Sequence, residues 1–555
     1  MAPGIKLEAA RRISIADAFH QAALRHSHRI ALKADGGRGR EYTYGEVDAL
    51  VGRLAAGLAA GGYLSKREIG LLSENRPEWG ITYLAVQRAG GTVVPIDPGL
   101  KESEIDYIIE HAGLRVVFCS ESCEKLLKGA GSDLTVISFG ADSLHPWRSV
   151  MSVDSAPAGP AGDDVAVLIY TSGTTGAPKA VELTHRNILA NFEGIDDAFA
   201  FDHNDTFLSV LPLHHTFEAT CGFITPLLSG ATVVYGRSLK SKDIKEDIGH
   251  NGVTVMCGVP LLFEKLYHSV RRKISSASLV RRVTFNVLYH ISAIGWRFNL
   301  TPGRRLFAGM RRQAGLETVR IFVSGGAPLP PNIAAFFNYI GFNFFQGYGL
   351  TECSPVVSTN RFGSMEFGSV GPPLRNVELK ILEPDFEGIG EIVLKAESVT
   401  PGYRNNREGT AELIRDGWLH TGDMGRFRRG HLWITGRKKN VIISAAGKNI
   451  HPEELEEKLL DSALIMEAVV FGRKKESKQG EEVRAVIVPD WEQMRSDCAI
   501  SRDNPDWNRV YAVIGEEIKR LNAAVAEYKR ITAFDVQLEE LDKTSTKKVR
   551  RSLYR

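Results

Sequence analysis

Paired cysteines are scarce in this sequence. Its 555 residues include six, Cys119, Cys123, Cys221, Cys257, Cys353 and Cys498, scattered along the chain. Cys119 and Cys123 are close. No second Cys or His pair with zinc-ligand spacing accompanies them, which argues against both a disulfide framework and a structural zinc. Free thiols in a reducing compartment are the simplest expectation. No run of about 18 or more apolar residues occurs, so no segment is expected to cross a membrane. The opening residues, MAPGIKLEAARRISIADAF, carry Glu8 and Asp17 and lack an apolar core, unlike a secretory signal. A cytoplasmic location is expected. A formal net charge of +3 is too small to argue for a nucleic-acid partner, and none is expected. Short-period repeats and low-complexity tracts are missing. So is the G-x-x-x-x-G-K-[ST] nucleotide signature.

What is present is ordinary in bulk. Hydrophobic residues make up 43% and charged residues 24%, as in soluble globular proteins. A chain of this length is expected to form two or more domains. Up to about residue 350, helix-period and strand-period segments alternate. The pattern predicts helices over 50–58 and 102–111 and strands over 92–96, 116–119 and 319–323, which argues for α/β layers. Further on, short strands at 377–381 and 391–395 are separated by glycine and proline turns and read as a small β subdomain. A polar turn, Gly436-Arg-Lys-Lys-Asn440, precedes a piece with its own helices (452–460, 510–528) and strands (468–471, 485–488). The expected fold class is α/β. Residues 1–436 form a large N-terminal domain of layered α/β subdomains plus a small β subdomain at about 365–436, residues 437–440 a hinge, and residues 441–555 a small α+β C-terminal domain.

One stretch stands out, YTSGTTGAPKAVELTH at 170–185. The apolar run before it, 165–170, reads as a buried strand, and the residues from Thr184 onward read as a helix. A glycine-rich turn between them suits a polyphosphate, because successive backbone N–H groups can point at one anion. Thr171, Ser172, Thr174 and Thr175 add hydroxyl donors, Gly173 and Gly176 allow close approach, and Lys179 adds a mobile positive charge. Asp423, on what reads as a tight glycine turn after Thr421 and Gly422, is suited to accept from both hydroxyls of a ribose. Gly347-Tyr-Gly-Leu-Thr-Glu352 combines an aromatic face for a base, a hydroxyl for a phosphate oxygen and a carboxylate for Mg2+. Ser324-Gly-Gly-Ala327 is a second glycine loop after a strand. Each of these, taken alone, also reads as a plain structural turn.

Their joint order along one chain resembles the adenylate-forming superfamily of acyl- and aryl-CoA synthetases, luciferases and peptide-synthetase adenylation domains. The resemblance covers almost the whole chain. It implies that residues 170–179 are the phosphate loop over ATP. Leu211-Pro-Leu-His-His215 then matches the block whose histidine, His215, lines the acyl site. Gly325, Gly326, Ala327 and Pro328 resemble the wall beside the adenine. Gln346, Gly347, Tyr348, Gly349, Thr351 and Glu352 resemble the adenine, α-phosphate and magnesium segment. Asp423 matches the ribose aspartate, and Arg437 of the Gly436-Arg437 pair falls near the ribose. Lys439 takes the hinge position, and Gly447 and Lys448 open the loop that meets coenzyme A. In Thr544-Ser-Thr-Lys-Lys-Val-Arg-Arg551, Lys548 takes the catalytic-lysine position. The family often has Pro-Ser-Gly-Lys there. The glycine is missing here, and Lys547 is a rival for the assignment.

The chemistry implied by the resemblance explains the residue types. A carboxylate lacks a good leaving group, and attack on the α-phosphorus of ATP gives it one. The protein's task is positioning and charge neutralisation. Lys179 and Thr175 attend the phosphates, Mg2+ sits on Glu352 and Thr175, and Lys548 meets the charge that builds in the transition state. The C-terminal domain is expected to be mobile and to exchange Lys548 for the Gly447 loop before coenzyme A attacks. Ser73-Glu-Asn-Arg-Pro-Glu-Trp79 and a long segment between 262 and 323 resemble the long-chain fatty acyl-CoA synthetases. A fatty-acyl-AMP ligase that serves an acyl carrier protein is the alternative. Another carboxylic acid, or nucleotide binding without turnover, is a further one. Peptide-synthetase domains carry an aspartate near position 217, where Glu218 is the nearest carboxylate here.

Within that long segment, residues 271–320 carry eleven basic side chains and one acid, Glu317. Val280, Val283, Val287, Ile291, Ile294 and Phe298 recur at helix spacing. Such a stripe can pack on its own domain, or it can belong to a helix that lies on an anionic membrane surface.

Overall fold

A computed structural model describes residues 13–129, 131, 133–153, 159–171, 178–444, 448–474, 481–543 and 549–554. The chain forms two compact units. The first comprises residues 1–379 and 394–419, the second 380–393 and 420–555, so the 437–440 segment lies inside the second.

Two sheets carry the first unit. One runs in the order Val356–Thr359, Asn343–Gly349, Ile321–Ser324, Val255–Gly258, Thr206–Ser209, Thr232–Tyr235, Ile30–Lys33, Glu41–Thr43. Its interior pairs are parallel and its two edge pairs antiparallel. The other runs in the order Gly402–Tyr403, Lys179–Thr184, Val165–Thr171, Thr92–Ile96, Glu68–Leu72, Val116–Cys119, Thr135–Ser138. The strands expected over 92–96 and 116–119 are present and buried along their whole length, as strands of a parallel sheet covered on both faces must be. The helices expected over 50–58 and 102–111 lie within Tyr44–Ala60 and Glu102–Ala112. A large core includes Phe19, Tyr44, Trp79, Tyr83, Phe118 and Phe223. A second cluster, built on Phe263, Phe322, Phe336, Phe337 and Phe344, packs ring edges against ring faces.

The helix read after the glycine-rich stretch begins one strand later than expected. Residues Lys179–Thr184 form a strand that pairs antiparallel with Val165–Thr171, so the stretch joins two strands and not a strand and a helix. Ala180, Val181, Leu183 and Thr184 are buried while Lys179 and Glu182 are half-buried, a mostly buried run that lacks the period-two alternation of a half-exposed strand. Helix His185–Phe199 then starts behind Thr184, whose hydroxyl accepts from Asn187 N in a capping box.

The second unit has its own core. Strand Ile465–Lys474 pairs antiparallel with Glu481–Pro489, which pairs parallel with Ala533–Val536. Helices Pro452–Leu460 and Trp507–Ala524 supply Leu455, Leu459, Val510, Ile514 and Ile518 to it. The last helix ends at Ala524, short of the expected 528, because Val525 is extended. Strands Trp418–Arg428 and His431–Arg437 pair with Asp423 opposite Arg437. Asp423 therefore stands inside a strand and not on a tight turn. The glycine before it, Gly422, has a left-handed φ of 67°, which lets that strand kink at this point.

His185 illustrates how the first unit depends on burial. It is fully buried, and its Nδ1 accepts from Ile15 N at 3.2 Å. Burial lowers its pKa from 6.5 to about 4. The unfolded chain therefore binds a proton that the folded one refuses, and stability falls as the pH drops from 6.5 toward 4. The loss expected from this side chain at the low end is on the order of 3 kcal/mol. In thermal unfolding, the decline in midpoint between neutral pH and pH 4 should be shallower in His185→Gln than in the wild type. Equal slopes would show that His185 is not the group responsible.

Candidate functional site

Lys179 opens the strand on the far side of the glycine-rich stretch, and Thr171 closes the strand on the near side. The two are register partners, and the Thr171 hydroxyl donates to Lys179 O at 3.4 Å. Ser172, Gly173, Thr174, Thr175 and Gly176 between them lie outside the described residues, as do Gly447, Lys547 and Lys548. On its other side the strand Lys179–Thr184 pairs with Gly402–Tyr403. This brings the Tyr403 ring to 4.8 Å from Lys179 Nζ, a cation–π distance. The Tyr403 hydroxyl donates to Glu352 Oε1 at 2.8 Å. Lys179 and Glu352, far apart in sequence, thus meet through one phenol. Burial raises the Tyr403 pKa, and the Glu352 carboxylate raises it further, so the phenol stays a donor throughout the physiological range.

Tyr403 carried no signal in the sequence beyond the Pro401-Gly402 turn before it. Three further contacts hold it in place. Thr400 N donates to Glu352 O at 2.8 Å, and the Thr400 hydroxyl donates to Glu182 O. Arg404 Nη1 donates to Glu68 Oε1 at 2.9 Å. Asn187 and Asn191, one turn apart on helix His185–Phe199, supply the rest. Asn187 Nδ2 donates to Glu397 O and Val399 O at 2.7 and 2.8 Å. Asn191 Nδ2 donates to Cys353 O and Val356 O at 3.1 and 2.7 Å. A buried amide that binds two carbonyls positions loops without any hydrophobic contact.

The segment 346–352 continues from the first sheet. Gln346 pairs in register with Ser324, which places the 324–328 glycine loop beside it. Gly325 faces the Phe217 ring, 3.1 Å from where a Cβ would stand, while Gly326, Ala327 and Pro328 are exposed. Gly347, Tyr348 and Gly349 pair antiparallel with the strand Val356–Thr359. A Cβ on Gly349 would stand 1.9 Å from Pro355 O, so no side chain fits there. The Thr216 hydroxyl donates to Thr351 Oγ1 at 3.4 Å, which links this segment to the 211–218 block. In that block His215 stacks obliquely on His214, ring centroids 4.3 Å apart. His214 Nε2 lies 3.5 Å from Asp97 Oδ2.

Glu218 follows in a π-helical turn, Glu218–Ile224, and is 1% exposed. Gly222, one turn on, makes room for it: a Cβ there would stand 2.5 Å from the Glu218 carboxyl carbon. Burial pushes the Glu218 pKa up to about 8, with the Ser209 hydroxyl pulling the other way. With no cation beside it among the described residues, burial thus favours the uncharged acid at neutral pH.

In the second unit Asp423 is 4% exposed, and Arg437 Nε donates to its Oδ1 at 2.7 Å. The Thr421 hydroxyl accepts from Asp423 N at 3.0 Å and donates to Ile392 O at 2.7 Å. Lys438 Nζ donates to Glu391 Oε2 at 2.8 Å. Burial alone would raise the Glu391 pKa, but the charges of Lys438 and His420 hold it below the usual range. Lys439 is exposed on the short turn Lys438–Asn440. Lys448 N donates to Ser444 Oγ at 3.0 Å, and its Nζ lies 4.5 Å from the Tyr528 ring.

The architecture is that of a two-unit α/β enzyme, and solved structures share it. ATP-bound MatB from Rhodopseudomonas palustris matches over 98% of each chain with a TM-score of 0.78 at 24% identity, which shows the fold. The profile of the AMP-binding enzyme family matches residues 19–404, and that of the AMP-binding enzyme C-terminal domain matches residues 439–555. The chain belongs to the AMP-binding, adenylate-forming enzymes. It is 30% identical to long chain acyl-CoA synthetase 2 of Arabidopsis thaliana over 84% of this chain and 76% of that one. It is 28% identical to a long-chain-fatty-acid–CoA ligase of Mycobacterium bovis over 92% of this chain and 90% of that one.

The state of Glu218 has a direct consequence. Its folded pKa lies above its unfolded one, so it costs stability as pH rises from 4.5 toward 8. Glu218→Gln, which mimics the neutral acid, should raise the thermal unfolding midpoint at pH 8 and leave it nearly unchanged at pH 4.5. A variant destabilised at both pH values would show that Glu218 is charged.

Proposed function

We propose that the protein joins a long-chain fatty acid to coenzyme A in two steps at the expense of ATP. The observation that carries this reading is the meeting of Lys179 and Glu352 at Tyr403, in a chain of the AMP-binding family whose relatives include long-chain acyl-CoA synthetases. In the first step a carboxylate oxygen of the fatty acid attacks the α-phosphorus of ATP. The bond to the bridging oxygen breaks, and pyrophosphate leaves with its electron pair. Lys179, with the hydroxyls and N–H groups of 171–176, neutralises the departing pyrophosphate. Lys548 stabilises the charge where carboxylate and α-phosphate meet. Thr351 bonds an α-phosphate oxygen, and Tyr348 and the 325–328 wall enclose the adenine.

Asp423 and Arg437 already form a charged pair, and the aspartate is built to accept from the ribose hydroxyls. The Tyr403 hydroxyl takes one oxygen of Glu352, and Glu352 with Thr175 would hold Mg2+. That fits an ion that uses one or two carboxylates plus phosphates. Bound there, Mg2+ would neutralise charge on the phosphates. In the second step the thiolate of coenzyme A attacks the adenylate carbonyl and AMP leaves. The hinge at 437–440 exchanges Lys548 for the Gly447–Lys448 loop between the steps. His215 and the π-helical turn at 218–224 line the acyl end. The uncharged Glu218 supports an acid without an ammonium group.

A panel of carboxylic acids assayed for AMP release with and without coenzyme A tests the reading. Palmitate should release AMP and form a thioester with free coenzyme A. A thioester formed only on a carrier protein would reassign the acceptor, and silence with every acid would refute catalysis. Lys548→Ala should lower adenylation on the order of 10²–10³-fold and spare thioester formation from supplied acyl-adenylate. Lys547→Ala should leave both steps near the wild-type rates, and the reverse pattern would transfer the role to Lys547. Tyr403→Phe removes one bond to a charged partner. It should cost about tenfold in adenylation and raise the Mg2+ concentration for half-maximal rate, whereas a purely structural role would leave the Mg2+ dependence unchanged.

A further inference from the structure

Helix Leu279–Trp296 is apolar on two sides, and the first unit uses only one of them. Phe285 and Ser292 are buried. Phe285 packs at 5.3 Å on Phe307, and Tyr289 at 5.5 Å on Tyr339. The Ser292 hydroxyl donates to Tyr339 O at 2.6 Å, and Trp296 stacks at 5.7 Å on Phe367. The other side is the stripe Val280, Val283, Val287, Ile291, Ile294 and Phe298. These six are exposed, from 48% at Ile291 to 74% at Val280, and Leu279 and Leu300 extend the patch at 67% and 60%. A helix with apolar residues all round belongs in a core or in contact with lipid, and a soluble surface rarely presents so long a contiguous apolar row.

The charge around the row is of one sign. Of the eleven basic residues in 271–320, Arg311 and Arg320 are turned into the unit. Arg311 donates to Ile340 O at 2.9 Å and to Arg304 O at 2.6 Å, and Arg320 binds the Asp205 carboxylate. The other nine, at 271–273, 281, 282, 297, 304, 305 and 312, are exposed. A basic patch alone would also suit a nucleic acid. The apolar row between the basic groups does not, because bases and phosphates offer it no matching surface, whereas an anionic bilayer offers acyl chains beneath phosphates. Among the described residues no helix is long and apolar enough to cross a membrane.

We infer that the Val280–Phe298 face of this helix lies in the headgroup region of an anionic bilayer, with the surrounding arginines and lysines on lipid phosphates. The contact is peripheral, runs along the helix axis over about 27 Å, and weakens with salt. It does not depend on the ligase reading and is tested without turnover. The protein is sedimented with phosphatidylcholine vesicles, with and without phosphatidylglycerol, at low and high sodium chloride. The wild type should bind only the phosphatidylglycerol vesicles and release them at high salt. Val283→Asp/Val287→Asp/Ile291→Asp, changes confined to exposed positions and checked by an unchanged unfolding midpoint, should lower the bound fraction roughly tenfold. Arg281→Glu/Arg282→Glu should lower binding at low salt while leaving the apolar row intact. Wild-type protein that ignores anionic vesicles overturns the inference, as does binding that survives the triple substitution or disregards phosphatidylglycerol. A dimer of the wild type that the triple substitution dissolves, with no vesicle binding, would assign the face to a second copy of the chain and likewise overturn it.

Discussion

Lys179 and Glu352 lie at opposite ends of one long stretch of chain, and a single phenol brings them together. The ammonium of one rests over the Tyr403 ring, and the carboxylate of the other accepts from its hydroxyl. That arrangement depends on a sheet edge. Tyr403 reaches the site because Gly402–Tyr403 pairs with Lys179–Thr184, which in turn pairs with Val165–Thr171. A cation on one strand of the hairpin and an anion on the Thr351–Cys353 turn are thus held at fixed places, which under the proposed function gives a polyphosphate and its counter-ion a preorganised frame. Preorganisation is what a charge-neutralising catalyst needs, since its groups must not reorganise while charge moves. Asn187 and Asn191, on the helix that follows the hairpin, extend the same frame to the 353–356 and 397–399 segments.

The π-helical turn Glu218–Ile224 follows a different rule. There the chain buries an acid, Glu218, and lets burial discharge it. Gly222 gives up its side chain to accommodate the carboxyl. A neutral acid in an apolar turn costs less than a charged one, which would need a partner. The neighbouring Cys221 and Cys257 thiols are raised by the same burial, so this turn is electrically quiet, whereas Lys179 and Glu352 put charge beside Tyr403. Such a contrast suits a substrate with one polar head and a long apolar tail.

Much of the candidate site was legible in the sequence because its residues sit in short local motifs. A glycine loop after an apolar run, a Gly-Tyr-Gly segment before Thr351 and Glu352, and a Thr-Gly-Asp triplet each declare themselves within a few positions. The strand Lys179–Thr184 did not. It is only six residues long, lacks a period-two pattern and ends in a helix cap at Thr184, so the helix signal masks it. Tyr403 was also invisible, because its bond spans 51 positions to Glu352 and a hydrogen bond across that distance leaves no periodic trace.

The stripe on helix Leu279–Trp296 shows where the division falls. Residue types and spacing by themselves determined the buried parallel strands and the presence of an apolar helical row among basic residues, since local chemistry and periodicity are written position by position, and the order of the motifs carried the resemblance to the adenylate-forming superfamily. Which side of that helix is packed, whether Glu218 carries a charge, and which tyrosine joins Lys179 to Glu352 were decided only by the tertiary structure. Burial and long-range pairing depend on what other parts of the chain bring to each side chain, and a linear pattern does not contain that.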